Sequence, residues 1–456
     1  MPIAIDNRSV TKLTLPQGTA LSIGAVLGTG VIALPALAAS IAGPASLVAW
    51  LLLIALSVPL AGTFAALGAR YPDSGGVSTY VRTAFGGRAA AVVGWCFYLA
   101  VPVGAPAAAM FGGGYVASAF GGGMRTTLIT AGALIVIVTL ANAGGLRVSG
   151  TLQLALAGLL IVLLLAATLT ALPQAKLANL TPFAPHGWLA IGPAAAVLVW
   201  GFAGWEAVTS LAGDYRRPAR DLPRATAIAL AVIGLLYFGV AAASVLVLGP
   251  ATGSTDAPLA ELLVIGVGGE ARTVTAIAAL LLTLGAMNAY FAGSAKLGAA
   301  LGRDGAFPAW FGRGSVTGGI PRRSLFVVSG LSGLALVLVA VSGVGVRPAV
   351  LLTTGSFVLV YLLGMAAAVR LLPRRTWAHR GATVALASVV VLLVMTGLYV
   401  LWALVIALAA LGYDHYRRTA CRRSAARRTA HVPRARAVRD AEQTATCTVA
   451  ARSAAH

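Results

Sequence analysis

The chain has 456 residues, 59% of them hydrophobic and only 10% charged, with a mean hydropathy of +0.90. A soluble domain carries about 25% charged residues, so the balance excludes a soluble globular protein and indicates a polytopic membrane protein. The net charge of +21 does not indicate a nucleic-acid partner, because the arginines sit between apolar runs and in the C-terminal tail.

The first 18 residues hold Asp6, Arg8 and Lys12 and no cleavage-like site. Segment 1–18 therefore reads as a cytoplasmic N-terminal segment, not a removable signal peptide. The first apolar run, 19–40, is long enough for a bilayer-spanning helix, which needs about 20 apolar residues. Its centre holds Gly28-Thr29-Gly30, with Gly24 one turn earlier. Glycine inside a helix costs roughly 1 kcal/mol relative to alanine. Freed backbone groups at membrane depth are tolerated only where they line a cavity or are buried in protein. The stretch reads either as a helix broken at a ligand site or as a small-residue face for close helix packing.

Further apolar runs fall at 46–69, 89–111, 127–143, 150–172, 190–212, 226–249, 272–299, 324–342, 348–371 and 381–413. A single helix over 381–413 would be about 50 Å long, against a hydrocarbon core of about 30 Å. That run reads as two short spans divided near Met395-Thr396-Gly397, which makes about twelve spans. Residues 414–456 hold ten arginines against Asp414, Asp440 and Glu442. They read as a disordered cytoplasmic tail that fixes topology or lies on anionic membrane lipid.

With the N-terminus inside, all of the 33 basic residues except Arg125, Lys176, Arg272 and Arg347 fall in inside segments. The alternation holds at every loop, as the positive-inside rule requires. Both termini are therefore expected in the cytoplasm. Eleven spans would leave the arginine-rich tail outside.

The sixth run repeats the feature of the first. Trp200-Gly201-Phe202-Ala203-Gly204-Trp205-Glu206 places two glycines mid-span. Glycine-interrupted spans at corresponding positions of two halves point to a transport site at an inverted repeat. Five runs lie within 19–172 and five within 190–372, and an odd number starts the second half on the opposite side of the membrane. The expected fold is an all-α polytopic bundle, a five-plus-five inverted repeat followed by two helices in 381–413. Glu206 is the acidic residue placed inside a span, where insertion costs about 2.5–3.5 kcal/mol. It is either a functional carboxyl or one that only bonds N–H groups freed by the break.

Enzyme chemistry finds little support. Cys96, Cys421 and Cys447 have no paired spacing, so neither a disulfide framework nor a metal site is expected. Gly28 to Ala33 fits a loose G-x-G-x-x-A pattern without the βαβ unit that a dinucleotide would need. Gly330-Leu331-Ser332-Gly333 matches the G-x-S-G of intramembrane serine proteases. Such a serine needs a base, and none of His186, His379, His415, His431 and His456 falls mid-span. No phosphate-binding loop occurs, so neither an ATPase motor nor a cofactor is expected.

The run Ile23-Gly24 through Gly28-Thr29-Gly30-Val31-Ile32, with Pro35 and Ala42-Gly43-Pro44-Ala45, resembles the amino acid–polyamine–organocation transporter superfamily. So do Phe202-Ala203-Gly204-Trp205-Glu206, Pro218-Ala219-Arg220-Asp221-Leu222-Pro223-Arg224-Ala225, Arg303-Asp304-Gly305-Ala306-Phe307-Pro308 and the loop Tyr71-Pro72-Asp73-Ser74-Gly75-Gly76. The resemblance covers about residues 15–372 and is most similar to bacterial methionine and branched-chain amino acid exporters.

The resemblance implies the inverted-repeat fold. It implies that a substrate carboxylate meets N–H groups at Gly28, Thr29 and Gly30. It implies that the ammonium meets carbonyls near Val26 and within Trp200, Gly201, Phe202 and Ala203. Trp200 and Phe202 match gating aromatics. Half-helix ends carrying roughly +0.5 and −0.5 charge suit such a zwitterion. One departure concerns coupling. Several proton-coupled relatives carry a lysine in the fifth span, and 151–172 contains none.

The reading is a secondary active transporter of the cytoplasmic membrane that exports neutral apolar amino acids in exchange for protons. Glu206 is its expected coupling group. Its partners are a small-molecule amino acid, the proton and membrane lipid. The alternatives are an uptake permease, an amino acid sensor that binds without transport and, more distantly, a protease acting through Ser332.

Overall fold

The computed structural model describes residues 13–71, 76–145, 150–206, 212, 215–313 and 320–430. The rest of the chain, including 72–75 of the Tyr71 loop and 431–456 of the tail, lies outside the described residues. The described chain is almost wholly helical, without a strand. Its one isolated bridge pairs Leu13 with Tyr215.

The helices in order are α1 (Leu15–Val26), α2 (Leu34–Ala42), α3 (Ser46–Arg70), α4 (Val77–Phe85), α5 (Gly87–Phe120), α6 (Gly123–Ala143), α7 (Gly150–Ala171) and α8 (Ile191–Phe202). They continue as α9 (Pro218–Ala243), α10 (Pro258–Val267), α11 (Ala271–Arg303), α12 (Arg322–Ser342), α13 (Arg347–Leu371), α14 (Trp377–Met395) and α15 (Val400–Ala430). Ends follow local chemistry. α1 opens with a capping box, in which the Thr14 N–H donates to the Gln17 side chain at 3.1 Å. α2 stops at Gly43, whose φ of 60° favours glycine.

Among the described residues, ten helical stretches are long and apolar enough to cross a bilayer. The two expected spans missing from that set are 19–40 and 190–212, and both are missing because their helices break. α1 and α8 are 12 residues each. The remaining expected runs match α3, α5, α6, α7, α9, α11, α12, α13, α14 and α15.

Helix packing comes in matched pairs. α1 packs on α9 as α8 packs on α3. α5 packs on α6 as α11 packs on α12. α5 meets α12 and α13 as α11 meets α6 and α7. This is the pattern that exchanging the first five spans with the second five produces.

Two helices were not anticipated from the sequence, α4 and α10. The run 381–413 is divided at Thr396 by a 3₁₀ turn, Gly397–Tyr399, with Gly397 at φ 63°. The expected disordered tail needs correcting over 414–430, which is the end of α15. Alanine and arginine are strong helix formers, and Asp414 anchors the junction. Its Oδ2 accepts from Arg88 Nε at 3.2 Å and from Arg418 Nε at 2.8 Å.

Candidate functional site

The first break begins where α1 ends. Leu27 (φ −67°, ψ 83°) makes a tight turn in which the Gly28 N–H donates to the Val26 carbonyl at 2.7 Å. A 3₁₀ turn, Thr29–Ile32, follows, and α2 starts with Pro35 in its first turn. The first N–H groups of a helix have no acceptor within it, so those of Thr29 and Gly30 have none inside this turn.

The sixth-span break is made differently. α8 stops at Phe202, Ala203 is extended (ψ 138°) and Gly204 has φ 128°. Trp205 and Glu206 are helical again. A Cβ on Gly204 would lie 2.6 Å from the Ala25 carbonyl oxygen and 3.1 Å from Val26 Cα. Only glycine lets the two breaks cross with their backbones in contact.

A cavity lies where they cross. Val26, Gly28 and Gly30 line one side, and Trp200, Gly201 and Ala203 line the other. Its walls are small or apolar: Ala100, Gly104, Ala105 and Ala108 of α5, Met287 and Phe291 of α11, and Phe357 of α13. Tyr290 and Thr353 add hydroxyls. Among the described residues that line it, no side chain carries a charge.

Two expectations change. The Gly28 N–H is spent inside the turn, so it does not face a ligand alongside those of Thr29 and Gly30. Phe202 does not line the cavity. It is buried behind α8 against Trp50 (6.1 Å between ring centroids) and Tyr237 (5.3 Å). Residues two apart on a helix point to nearly opposite sides, so Trp200 and Phe202 cannot both face one ligand. Trp200 does, with Phe111 edge-on at 6.2 Å.

Glu206 sits one turn beyond the break. Its Oε2 accepts from the Gly204 N–H at 2.9 Å and from the Tyr361 hydroxyl of α13 at 2.5 Å. Tyr237 of α9 lies behind both breaks, its hydroxyl 3.1 Å from the Val26 oxygen and 3.0 Å from the Gly201 oxygen. Tyr115 of α5 is fully buried. It donates to the Ile32 carbonyl at 2.6 Å and accepts from the Leu259 N–H of α10 at 3.3 Å. Tyr290 of α11 lines the cavity and is 46% exposed. The Ser332 hydroxyl donates to the Val328 carbonyl at 2.8 Å within α12.

A family model described as amino acid permease matches residues 13–415. The chain belongs to the amino acid permease family. It is 34% identical over 385 residues to the uncharacterized amino acid permease YecA of Bacillus subtilis, covering 84% of this chain and 90% of that protein. It is 34% identical over 401 residues to the L-methionine/branched-chain amino acid exporter YjeH of Escherichia coli, covering 86% and 94%. It is 27% identical over 242 residues to the branched-chain amino acid permease BcaP of Bacillus subtilis, covering 49% and 52%. The permease is a multi-pass membrane protein of a family of amino acid transporters, as its composition and the resemblance implied.

The site residues that sequence reasoning missed in the permease are Tyr237, Tyr290 and Tyr361. Each is a lone tyrosine in an apolar span, and each meets the breaks only through tertiary packing.

Proposed function

We propose that this permease exports neutral apolar amino acids across the cytoplasmic membrane in exchange for protons, by alternating access. The observation that carries the reading is the cavity between the two breaks. It is lined by Val26, Gly28 and Gly30 of one break and by Trp200, Gly201 and Ala203 of the other, and among the described residues its walls hold no charged side chain. In this reading backbone N–H groups at Thr29 and Gly30 meet the carboxylate, and carbonyls at Val26 and Gly201 meet the ammonium. Such a site suits a zwitterion whose side chain is apolar. Methionine and branched-chain amino acids are what YjeH, at 34% identity, is named for exporting.

Glu206 is the proton-coupling group in this reading. It is a carboxyl just past the sixth-span break, where its Oε2 accepts from the Gly204 N–H and the Tyr361 hydroxyl. Loading and release of its proton would alternate with the substrate. Both termini are cytoplasmic, as the arginine distribution supports. In this orientation the Tyr290 side of the cavity is the cytoplasmic access, and Tyr115 is the outer seal.

Counterflow of labelled leucine or methionine in proteoliposomes tests the reading. Exchange that responds to an imposed pH gradient supports it. Binding without exchange would instead mark a sensor.

A further inference from the structure

A second cavity lies between α14 and the face made by α3, α8 and α13. Phe202 of α8 and Tyr361 of α13 belong to its inner wall. Its mouth is Leu56 of α3 and Ser388 of α14, which are half-buried where the other lining residues are buried.

The lining suits an apolar occupant. Among the described residues that line it, Ser57, Tyr361 and Ser388 carry hydroxyls and the rest are hydrocarbon. Ser57 donates to the Leu53 carbonyl at 2.8 Å, Ser388 to the Val384 carbonyl at 2.9 Å and Tyr361 to Glu206. Each hydroxyl hydrogen is already placed, so a polar ligand would give up its hydration without finding a donor. A void forfeits dispersion contacts with its walls, and an apolar cavity stays dry and takes an apolar guest.

The surroundings of the mouth indicate which guest. α3 and α14 belong to stretches long and apolar enough to span a bilayer. Leu52 lies one turn before Leu56 and is 47% exposed. Val384 and Val391 share a face of α14 with Ser388 and are 55% and 56% exposed. Exposed apolar faces of spanning helices meet lipid tails, so the mouth opens onto hydrocarbon.

The inner wall joins this cavity to the transport site. The Tyr361 ring lies 6.4 Å from that of Phe357, which lines the substrate cavity, and its hydroxyl holds Glu206. Phe202 ends α8 at the sixth-span break.

We propose that this cavity is a site for one acyl chain of a membrane phospholipid, and that a chain seated against Tyr361 and Phe202 supports substrate exchange. The second half of the proposal rests on the amino acid transport reading, and the first half does not.

The test uses the full chain in vesicles of phosphatidylethanolamine and phosphatidylglycerol, doped with a phospholipid that carries a diazirine near the end of one acyl chain. Irradiation bonds that chain to its neighbours, and mass spectrometry of the digest locates the bonds. Val199 and Val358 line the cavity and are buried, so a lipid that only coats the bundle cannot reach them. Wild-type protein should be labelled at both. Ser388→Phe plugs the mouth and should lose that label. Ala387→Phe puts the same ring on the neighbouring exposed position and should keep it. Label confined to exposed residues such as Leu52 and Val391, or label at Val199 and Val358 that survives the plug, would overturn the site. If Ser388→Phe fails to insert, Leu56→Trp obstructs the same mouth from α3 and is held to the same outcome.

Exchange of labelled leucine tests the second half. Replacing unbranched oleoyl chains by methyl-branched phytanoyl chains, which are too wide for the cavity, should lower the maximal rate several-fold in wild type and in Ala387→Phe. Ser388→Phe should lose this dependence. Equal dependence in all three proteins would overturn the link to transport. Wild-type protein that is labelled in the cavity but exchanges no amino acid would leave the site standing and overturn the transport reading, together with the second half.

Discussion

Glu206 and Tyr361 are joined across the bundle: the Tyr361 hydroxyl of α13 donates to Glu206 Oε2 at 2.5 Å, while the Gly204 N–H donates to the same oxygen at 2.9 Å. The carboxyl is thus attached to the sixth-span break on one side and to the second half's last helix on the other. It is placed to register movement between them.

Glu206→Gln keeps the shape and mimics the protonated carboxyl. The variant is expected to exchange substrate when no gradient is imposed and to lose its response to an imposed pH gradient. Labelled exchange with and without the gradient measures both. Wild-type pH-driven accumulation by the variant would reduce Glu206 to a carboxyl that serves the helix break alone.

Gly30 and Gly28 lie two residues apart and should tolerate substitution very differently. A Cβ on Gly30 would lie 2.6 Å from Trp200 Cδ1 and 3.0 Å from Leu34 Cδ1, whereas one on Gly28 meets nothing closer than the Val26 oxygen at 3.9 Å. Gly30→Val is expected to abolish transport with the protein still inserted in the membrane. Gly28→Ala should retain transport within a few-fold of wild type. Equal loss in both would remove the steric basis of the site.

The uncharged cavity walls make a statement about selectivity. Leucine or methionine should compete with labelled substrate, and arginine or glutamate should not. Strong competition by arginine would move the assignment to cationic substrates, with Glu206 as the side-chain partner.

Tyr115 ties α5 to the turn after the first-span break and to α10 through Ile32 and Leu259, the outer seal in the proposed reading. Tyr115→Phe leaves a buried carbonyl and N–H without this partner, at a cost of about 1–3 kcal/mol to the closed arrangement. In a cysteine-free background, Ala108→Cys should then react several-fold faster with an impermeant thiol reagent added outside. An unchanged rate would mean that the seal lies elsewhere.

Much of this arrangement was legible in the sequence because it depends on local chemistry. Run length marked the spans, and Gly28, Gly30, Gly201 and Gly204 marked the two breaks. What stayed hidden depends on rotation and distance. Trp200 and Phe202 share one motif, yet the helix turns Trp200 into the cavity and Phe202 against Tyr237. The Tyr361 hydroxyl reaches a carboxyl 155 residues away in sequence, and Tyr237 reaches Val26 across 211. A single tyrosine in an apolar run gives no sign of which carbonyl it will meet. The turn at Leu27 that occupies the Gly28 N–H was equally invisible, because it is set by backbone angles and not by residue type. The helical end of α15 was missed because its arginine-rich composition resembles that of a disordered tail.

Proton coupling of an apolar amino acid is the central claim, and driven flux tests it most directly. Proteoliposomes carrying the wild-type chain would be supplied with labelled leucine or methionine, with a pH gradient imposed in one set and a sodium gradient in another. The expected result is accumulation driven by the pH gradient, in the antiport direction, with no effect of sodium. Accumulation driven by sodium, or exchange indifferent to both gradients, would contradict it.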